Sequence, residues 1–240
     1  MNRGALVDVH AVPPWLRKLV EVAGSTQARD ITRFVPPPDE KTKAAAVLVL
    51  FGDGEAGRGH DVLLQRRAHH PNDRHSGQVA FPGGGAEDGD DGPVGTALRE
   101  AEEETGLDPA GVLPIAVMPE LWIPVSGFAV TPVLAYWQRP SRVWAVDPAE
   151  TAAVARVPIA DLADPANRFM VFREDTGWRG PAFSVHGMLV WGFTAGLLSA
   201  LLSLAGWERE WNTEDVRPIE EALREHGERL WTGRGREGDG

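Results

Sequence analysis

The chain has 240 residues, of which 42% are hydrophobic, so it can bury a sizeable core in one main domain. Its formal net charge of −11 excludes sequence-independent binding to nucleic acid, which requires a basic surface. There is no cysteine, so disulfides, thiolate nucleophiles and cysteine-ligated zinc are excluded as well. The first residues lack the long apolar segment of a secretory signal, and we therefore expect a cytoplasmic protein.

The first part of the chain predicts an N-terminal extension followed by strands. An apolar face between Pro13 and Gly24 indicates a short helix, and a polar, proline-containing loop then runs to Lys43. Apolar and β-branched runs bounded by turn residues predict strands, the first two of which form a hairpin. The expected elements are a helix at 13–24 and strands at 44–51, 61–67 and 78–81, the last leading into Gly83–Gly85.

The second part predicts a mixture of helices and strands. Pro93 suits the first turn of a helix, and Gly106 suits the left-handed position just after its end. Strands followed by a helix, and then by more strands and helices, indicate the α/β class. The further expected elements are strands at 112–118 and 128–137, helices at 158–162, 187–207 and about 214–231, and a disordered tail. We divide the chain into an extension (1–43), a main domain (44–207) and a C-terminal helix with tail (208–240).

The segment 187–207 carries no charged residue and is long enough to span a bilayer. Gly192 and Gly196 form a GxxxG pair, which fits a membrane helix or a dimer contact. However, Ser199 and Ser203 extend the small-residue stripe opposite Leu and Phe, and no Lys or Arg cluster flanks the segment. We therefore expect a buried or dimer-forming helix and no membrane span, with a homodimer as a possible assembly.

Four carboxylates lie within five positions at the C-terminal end of the helix that ends before Gly106, namely Glu100, Glu102, Glu103 and Glu104. A helix disfavours negative charge at this end, and like charges four residues apart repel. Arg99 alone leaves a surplus of negative charge, so we expect a hard divalent cation, Mg²⁺ or Mn²⁺, to complete the cluster. The alternative for any isolated acidic run is a solvated helix face beside an ordinary glycine turn.

The spacing around this cluster resembles the motif of the Nudix hydrolases. The matching positions are Gly85-x5-Asp91-x7-Arg99-Glu100-Ala101-x-Glu103-Glu104-x-Gly106-Leu107, with Asp91 where that family usually has Glu. The resemblance implies an α/β/α sandwich with a mixed sheet. It also implies a loop–helix–loop that binds divalent metal and hydrolyses a diphosphate linked to another moiety.

The residues upstream are similar to the coenzyme A diphosphatase subgroup of that family, in Leu63, Leu64, Arg67 and the stretch from Gly77 to Gly84. This resemblance implies hydrolysis of coenzyme A or a derivative to 3′,5′-ADP and 4′-phosphopantetheine. The chain departs from the subgroup at Asp73, where Arg is expected, and at Gln65 and Ala68, where Thr and Ser are usual. Two alternatives therefore stay open: another nucleoside diphosphate derivative such as NADH or ADP-ribose, or a Nudix-like domain that binds ligand without catalysis.

Helix geometry lets three of the carboxylates converge on metal, while Glu102 points away. We assign Glu100 and Glu104 as metal ligands and Glu103 as either a third ligand or the base that accepts the proton of water. Arg99 is expected to hold Glu102 or Glu103 in place.

The candidate substrate-binding residues are Arg67, Arg74 and His75, which belong to a run of basic side chains after the second strand. This run forms either a pocket for substrate phosphates or a solvated hairpin edge. Histidine-bound zinc is a weak alternative because no HxxxH helix is present. The backbone of Gly83, Gly84 and Gly85 is expected to approach the metal or the phosphates, where a Cβ would collide.

Overall fold

Thirteen β-strands and five α-helices form the described part of the chain. The structure is a computed structural model that describes residues 3–36, 41–54, 59–70 and 75–228. The strands are β1 (Gly4–Ala5), β2 (Lys43–Gly52), β3 (Asp61–Arg67), β4 (Val79–Ala80), β5 (Gly83–Gly85), β6 (Val112–Val117), β7 (Leu121–Ile123), β8 (Phe128–Trp137), β9 (Thr151–Pro158), β10 (Arg168–Phe172), β11 (Arg179–Val185), β12 (Met188–Val190) and β13 (Val216–Pro218). The helices are α1 (Arg17–Ala23), α2 (Gly92–Thr105), α3 (Ile159–Ala163), α4 (Gly192–Ala205) and α5 (Ile219–Glu225).

Strand β2 lies in the middle of the larger sheet because its side chains are apolar on both faces. Leu48 and Leu50 pack on one face, and Val49 and Phe51 pack on the other, following the two-residue repeat of a strand. One edge of β2 pairs in parallel with β8. The other edge pairs antiparallel with β5 and then with the start of β3, so β2 holds the glycine strand in place.

The two sheets of the described residues differ in size and topology. The larger one is mixed and follows the order β1-β6-β8-β2-β3-β4, with β5 on β2, β7 on β8 and β9 on β3. The smaller one follows the order β12-β11-β10-β13 and packs a separate apolar cluster against α5. The larger sheet carries the acidic helix, and it therefore positions the candidate site.

Helices cover both faces of the larger sheet. On one face, α2 buries Ala97 and Ala101 against the Leu48 side of β2. On the opposite face, α1 and α4 bury Leu19 and Leu198 in the cluster that contains Phe51. This arrangement is the expected α/β/α sandwich with a mixed sheet, and the prediction of the fold class is confirmed.

The N-terminal segment packs into the same core as the larger sheet. Gly4 and Ala5 pair with β6, and Leu16 and Leu19 are fully buried. Residues before Lys43 therefore contribute apolar area to the fold. The division of the chain at 43 and 207 stays a prediction.

Most of the early elements form where the sequence predicts them. The strands β2, β3, β6 and β8 and the acidic helix are confirmed, with each boundary within one residue of the prediction. The helix that ends before Gly24 is confirmed as well, but α1 starts at Arg17, four residues after the expected Pro13. Several strands, namely β1, β5, β7 and β9 to β13, were not predicted, because they are short or lack a regular alternation of apolar and polar residues. The short helix expected at 158–162 forms as α3, while the charged helix expected near 214–231 is seven residues long and follows β13.

The prediction of one helix over 187–207 was wrong at its start. His186 and Gly187 have φ values of 52° and 72° and form the two-residue turn between β11 and β12, which takes Met188 to Val190 into the sheet. Helix α4 begins only at Gly192 and packs through its leucine face. Among the described residues, no helix is long and apolar enough to cross a membrane. The segments 71–74 and 229–240, and with them Asp73, Arg74 and the predicted disordered tail, lie outside the described residues.

Candidate functional site

Helix α2 places its acidic end beside the glycine strand β5. It begins after Asp91 and ends at Thr105, and the next residue, Gly106, has a φ of 64°, the left-handed conformation that glycine adopts without strain. Because β5 and α2 both pack against β2, the carboxylates of the last helical turns face the backbone of Gly83 and Gly84.

Glu104 is the most deeply buried of the four carboxylates. Its Oε2 accepts a hydrogen bond from the Gly83 N–H at 2.9 Å and a second one from the Gln65 amide. Its Oε1 faces Nη1 of Arg67 at 3.9 Å. Only 12% of the side chain is exposed, and this burial raises the pKa of Glu104 to about 7. The hydrogen bonds from Gly83 and Gln65 and the charge of Arg67 lower the pKa, but burial has the larger effect. The site therefore holds a buried carboxylate whose ion-pair partner, Arg67, lies beyond hydrogen-bond distance.

Glu100 lies directly over Gly84. A Cβ at Gly84 would come within 2.6 Å of the Glu100 carboxylate, so this close approach requires glycine. The side chain of Glu100 is 17% exposed, and burial raises its pKa although Arg99 donates to it at 3.0 Å. Two desolvated carboxylates thus lie on adjacent glycines of one strand.

Arg99 ties the loop before the helix to the acidic cluster. Its Nε and Nη2 donate to both oxygens of Asp90 at 2.9 and 3.1 Å, and Nη2 also donates to the Gly85 carbonyl at 3.0 Å. Its Nη1 contacts Glu100 at 3.0 Å and Glu103 at 3.1 Å. Hydrogen bonds from Arg99 hold the pKa of Asp90 well below its usual range. One guanidinium thus hydrogen-bonds three carboxylates, and a fourth, that of Glu87, lies 3.9 Å from its Nη1.

The three predicted ligands do not converge on one point. The Glu103 side chain is 59% exposed and bound by Arg99, and Glu102 is exposed on the outer side of the helix. In the parts of the chain that the structure describes, no three His, Asp or Glu side chains form a group that could hold a metal ion by themselves.

The donors present nevertheless fit a hard divalent cation. Mg²⁺ takes oxygen ligands and is usually held by one or two carboxylates, with water and substrate phosphates completing the shell. Glu100 and Glu104 supply two such carboxylates, and burial raises the pKa of both despite the arginine beside each. These two residues would hold the ion. Glu103 directly precedes Glu104 and follows Glu100 by three residues in the same helix.

The candidate substrate residues have different surroundings. Arg67 faces Glu104, and the glycines of β5 lie against Glu100, Glu104 and Arg99, as described above. His75 Nδ1 lies 3.2 Å from Oε1 of Gln78. Arg74 lies outside the described residues. The substrate-binding roles of these residues stay predictions.

Sequence reasoning missed three side chains of this site, namely Asp90, Gln65 and Thr151. The motif contains Asp91, which starts the helix without a side-chain capping bond, whereas its neighbour Asp90 makes the paired contact with Arg99. The available signal for Gln65 was its place in the strand that also carries Arg67, where it stood out as a departure from the subgroup. Thr151 carried no signal, because the strand that contains it was not predicted.

Comparisons of the sequence with known proteins match one domain family. The NUDIX domain family matches residues 41–175, which is more than half of the chain. Nudix hydrolase 15, mitochondrial, of Arabidopsis thaliana is 33% identical over 181 residues, covering 71% of this chain and 59% of that protein's length. A Salmonella newport protein named "Uncharacterized Nudix hydrolase NudL" is 37% identical over 142 residues, covering 58% of this chain and 72% of that protein. Among solved structures, a Nudix hydrolase from M. smegmatis, RenU, is similar with a TM-score of 0.49 and 22% identity, covering 71% of this chain and 89% of that one.

Proposed function

The chain belongs to the Nudix hydrolase family, and from this premise we propose that it hydrolyses the diphosphate bond of coenzyme A or one of its derivatives. The products are 3′,5′-ADP and 4′-phosphopantetheine or its acyl form. Support for this substrate comes from the sequence, in Leu63, Leu64, Arg67 and the stretch 77–84 that resemble the coenzyme A diphosphatase subgroup.

The observation that carries the reaction class is the pair of buried carboxylates on the glycine strand. Glu100 and Glu104 lie against Gly84 and Gly83, respectively, and burial raises the pKa of both. When bound there, Mg²⁺ or Mn²⁺ would polarise the attacking water and neutralise the oxygens that gain charge as the diphosphate bond breaks. An exposed acidic face would not place its carboxylates against a surface that excludes Cβ atoms.

The surrounding side chains have separate tasks in this proposal. Arg67 points its guanidinium at the same site and offers a forked donor to a substrate phosphate. Arg99 fixes the loop through Asp90 and Gly85 and keeps Glu103 at the rim. From that exposed position Glu103 either accepts the proton of the attacking water or becomes a further ligand.

The test is incubation of the purified protein with coenzyme A and Mg²⁺ or Mn²⁺, followed by chromatography of the products. We expect both 3′,5′-ADP and 4′-phosphopantetheine, with no turnover after chelation of the metal. Glu104→Gln should abolish turnover, whereas Glu102→Gln should not, because Glu102 faces solvent. Equal loss in both variants would contradict the assigned ligand set.

The same assay with NADH and ADP-ribose decides the substrate. Efficient turnover of either compound, with none of coenzyme A, would replace the proposed substrate by another nucleoside diphosphate derivative. If metal binds and no diphosphate compound is cleaved, the chain is a ligand-binding member of the family instead. The departure from the subgroup at Asp73 is the reason for including both compounds.

A further inference from the structure

Two buried polar side chains lie behind Glu104, and neither belongs to the acidic motif. Gln65 of β3 and Thr151 of β9 are each only 1% exposed. The Thr151 hydroxyl donates to Oε1 of Gln65 at 3.0 Å, and Nε2 of Gln65 donates to Oε2 of Glu104. Buried polar groups need such partners, and these two bonds form a continuous link from Thr151 to the carboxylate.

An irregularity in the sheet brings Thr151 to this link. Strands β3 and β9 pair in regular antiparallel register up to Arg66, which lies opposite Ala153. The register then shifts, and Arg67 lies opposite Thr151 instead of the next residue, Ala152. Since side chains alternate between the faces of a strand, this shift places Thr151 on the same face as Arg67 and Gln65. That face is the one covered by α2.

The Glu104 carboxylate determines which way the Gln65 amide points, because its oxygens only accept hydrogen bonds, whereas the Thr151 hydroxyl can donate or accept. The Gln65 NH₂ group is directed at Glu104, and Oε1 of Gln65 accepts the hydroxyl proton of Thr151. With the amide reversed, two oxygen acceptors would face each other in a buried site. The Gly83 N–H donates to the same Glu104 oxygen, Oε2, whereas Oε1 is directed toward Arg67.

We propose that Thr151 and Gln65 are positioning residues that anchor Oε2 of Glu104 and thereby turn Oε1 toward the divalent cation. This inference rests on the proposed function, because it assumes that Glu104 is a ligand. Neither residue touches the cation or the substrate. Their effect is to hold one carboxylate oxygen in hydrogen bonds so that the other keeps a fixed direction, as outer-shell partners of metal ligands do.

The experiment compares Mn²⁺ affinity in the full-length protein and three variants, measured from the free Mn²⁺ signal in electron paramagnetic resonance. Thr151→Val keeps the shape but removes the hydroxyl, Gln65→Met keeps the length but removes the amide, and Thr151→Ser restores a hydroxyl. We expect about tenfold weaker binding in the first two variants and affinity within about twofold of wild type in Thr151→Ser. The kcat for the cleaved diphosphate should fall in parallel, with a smaller change in KM.

Thr194→Val is the matched control, because Thr194 is a buried threonine in α4 on the opposite face of the larger sheet. A purely structural role for Thr151 predicts lower thermal stability with unchanged Mn²⁺ affinity, and this result would overturn the inference. If Gln65→Met does not fold, Thr151→Val and Thr151→Ser decide the question alone. If the wild-type protein itself binds no Mn²⁺, the proposed metal-dependent function fails first, so the two failures are distinguishable.

Discussion

Glu104→Gln should stabilise the metal-free protein at pH 8 and have little effect near pH 4. Burial raises the pKa of Glu104 from 4.5 to about 7. In the unfolded chain this carboxyl ionises from about pH 4.5 upward, whereas in the folded protein it stays protonated until about pH 7. Folding therefore becomes less favourable as the pH rises between these values, and the full cost is present above pH 7.

The size of this effect follows from the two pKa values. A rise from 4.5 to about 7 corresponds to about 3 kcal/mol of lost stability for the ionised form. Glutamine avoids this cost because it is neutral at every pH, and its carbonyl oxygen can still accept from the Gly83 N–H and from Gln65. We therefore expect the variant to have a free energy of unfolding about 3 kcal/mol higher than wild type at pH 8.

Urea unfolding in the presence of a chelator, at pH 4, 6 and 8, measures this difference directly. Glu102→Gln serves as the control, since Glu102 is exposed and its removal should give no such pH dependence. Added Mg²⁺ or Mn²⁺ should stabilise wild type more than Glu104→Gln, because a ligand stabilises the state that binds it. A stability difference of equal size at pH 4 and pH 8 would refute the reasoning.

Two further predictions concern the loop and the glycine strand. Gly84→Ala should lower kcat/KM about a hundredfold, because the new Cβ would come within 2.6 Å of the Glu100 carboxylate and displace it. Gly196→Ala in α4, where a Cβ meets open space, should retain near wild-type activity in the same assay. Asp90→Asn should lower kcat/KM about tenfold, because it weakens the paired contact that positions Arg99 beside the acidic cluster. Asp91→Asn should resemble wild type in steady-state kinetics, because the Asp91 side chain makes no capping bond. Equal effects in the members of either pair would contradict these contacts.

The sequence by itself determined the features that depend on local spacing. The repeat of apolar residues in β2, and the position of Gly106 after the acidic run, follow from the strand and helix periods and from the conformational freedom of glycine. The same periods put Glu100 and Glu104 on one side of α2. These relations involve residues close in sequence, so they hold whatever the rest of the chain does.

The tertiary structure decided the features that join distant segments. Thr151 reaches Gln65 across 86 positions only because the register of β3 and β9 shifts by one residue, and no local pattern indicates such a shift. The choice of Asp90 over Asp91 as the partner of Arg99 likewise depends on how the loop lies against the helix. The sequence spacing therefore determined which acidic residues lie together, whereas strand pairing determined how deeply they are buried and which groups donate hydrogen bonds to them. The raised pKa of Glu104 also follows from the tertiary structure, because desolvation depends on everything packed around a charge.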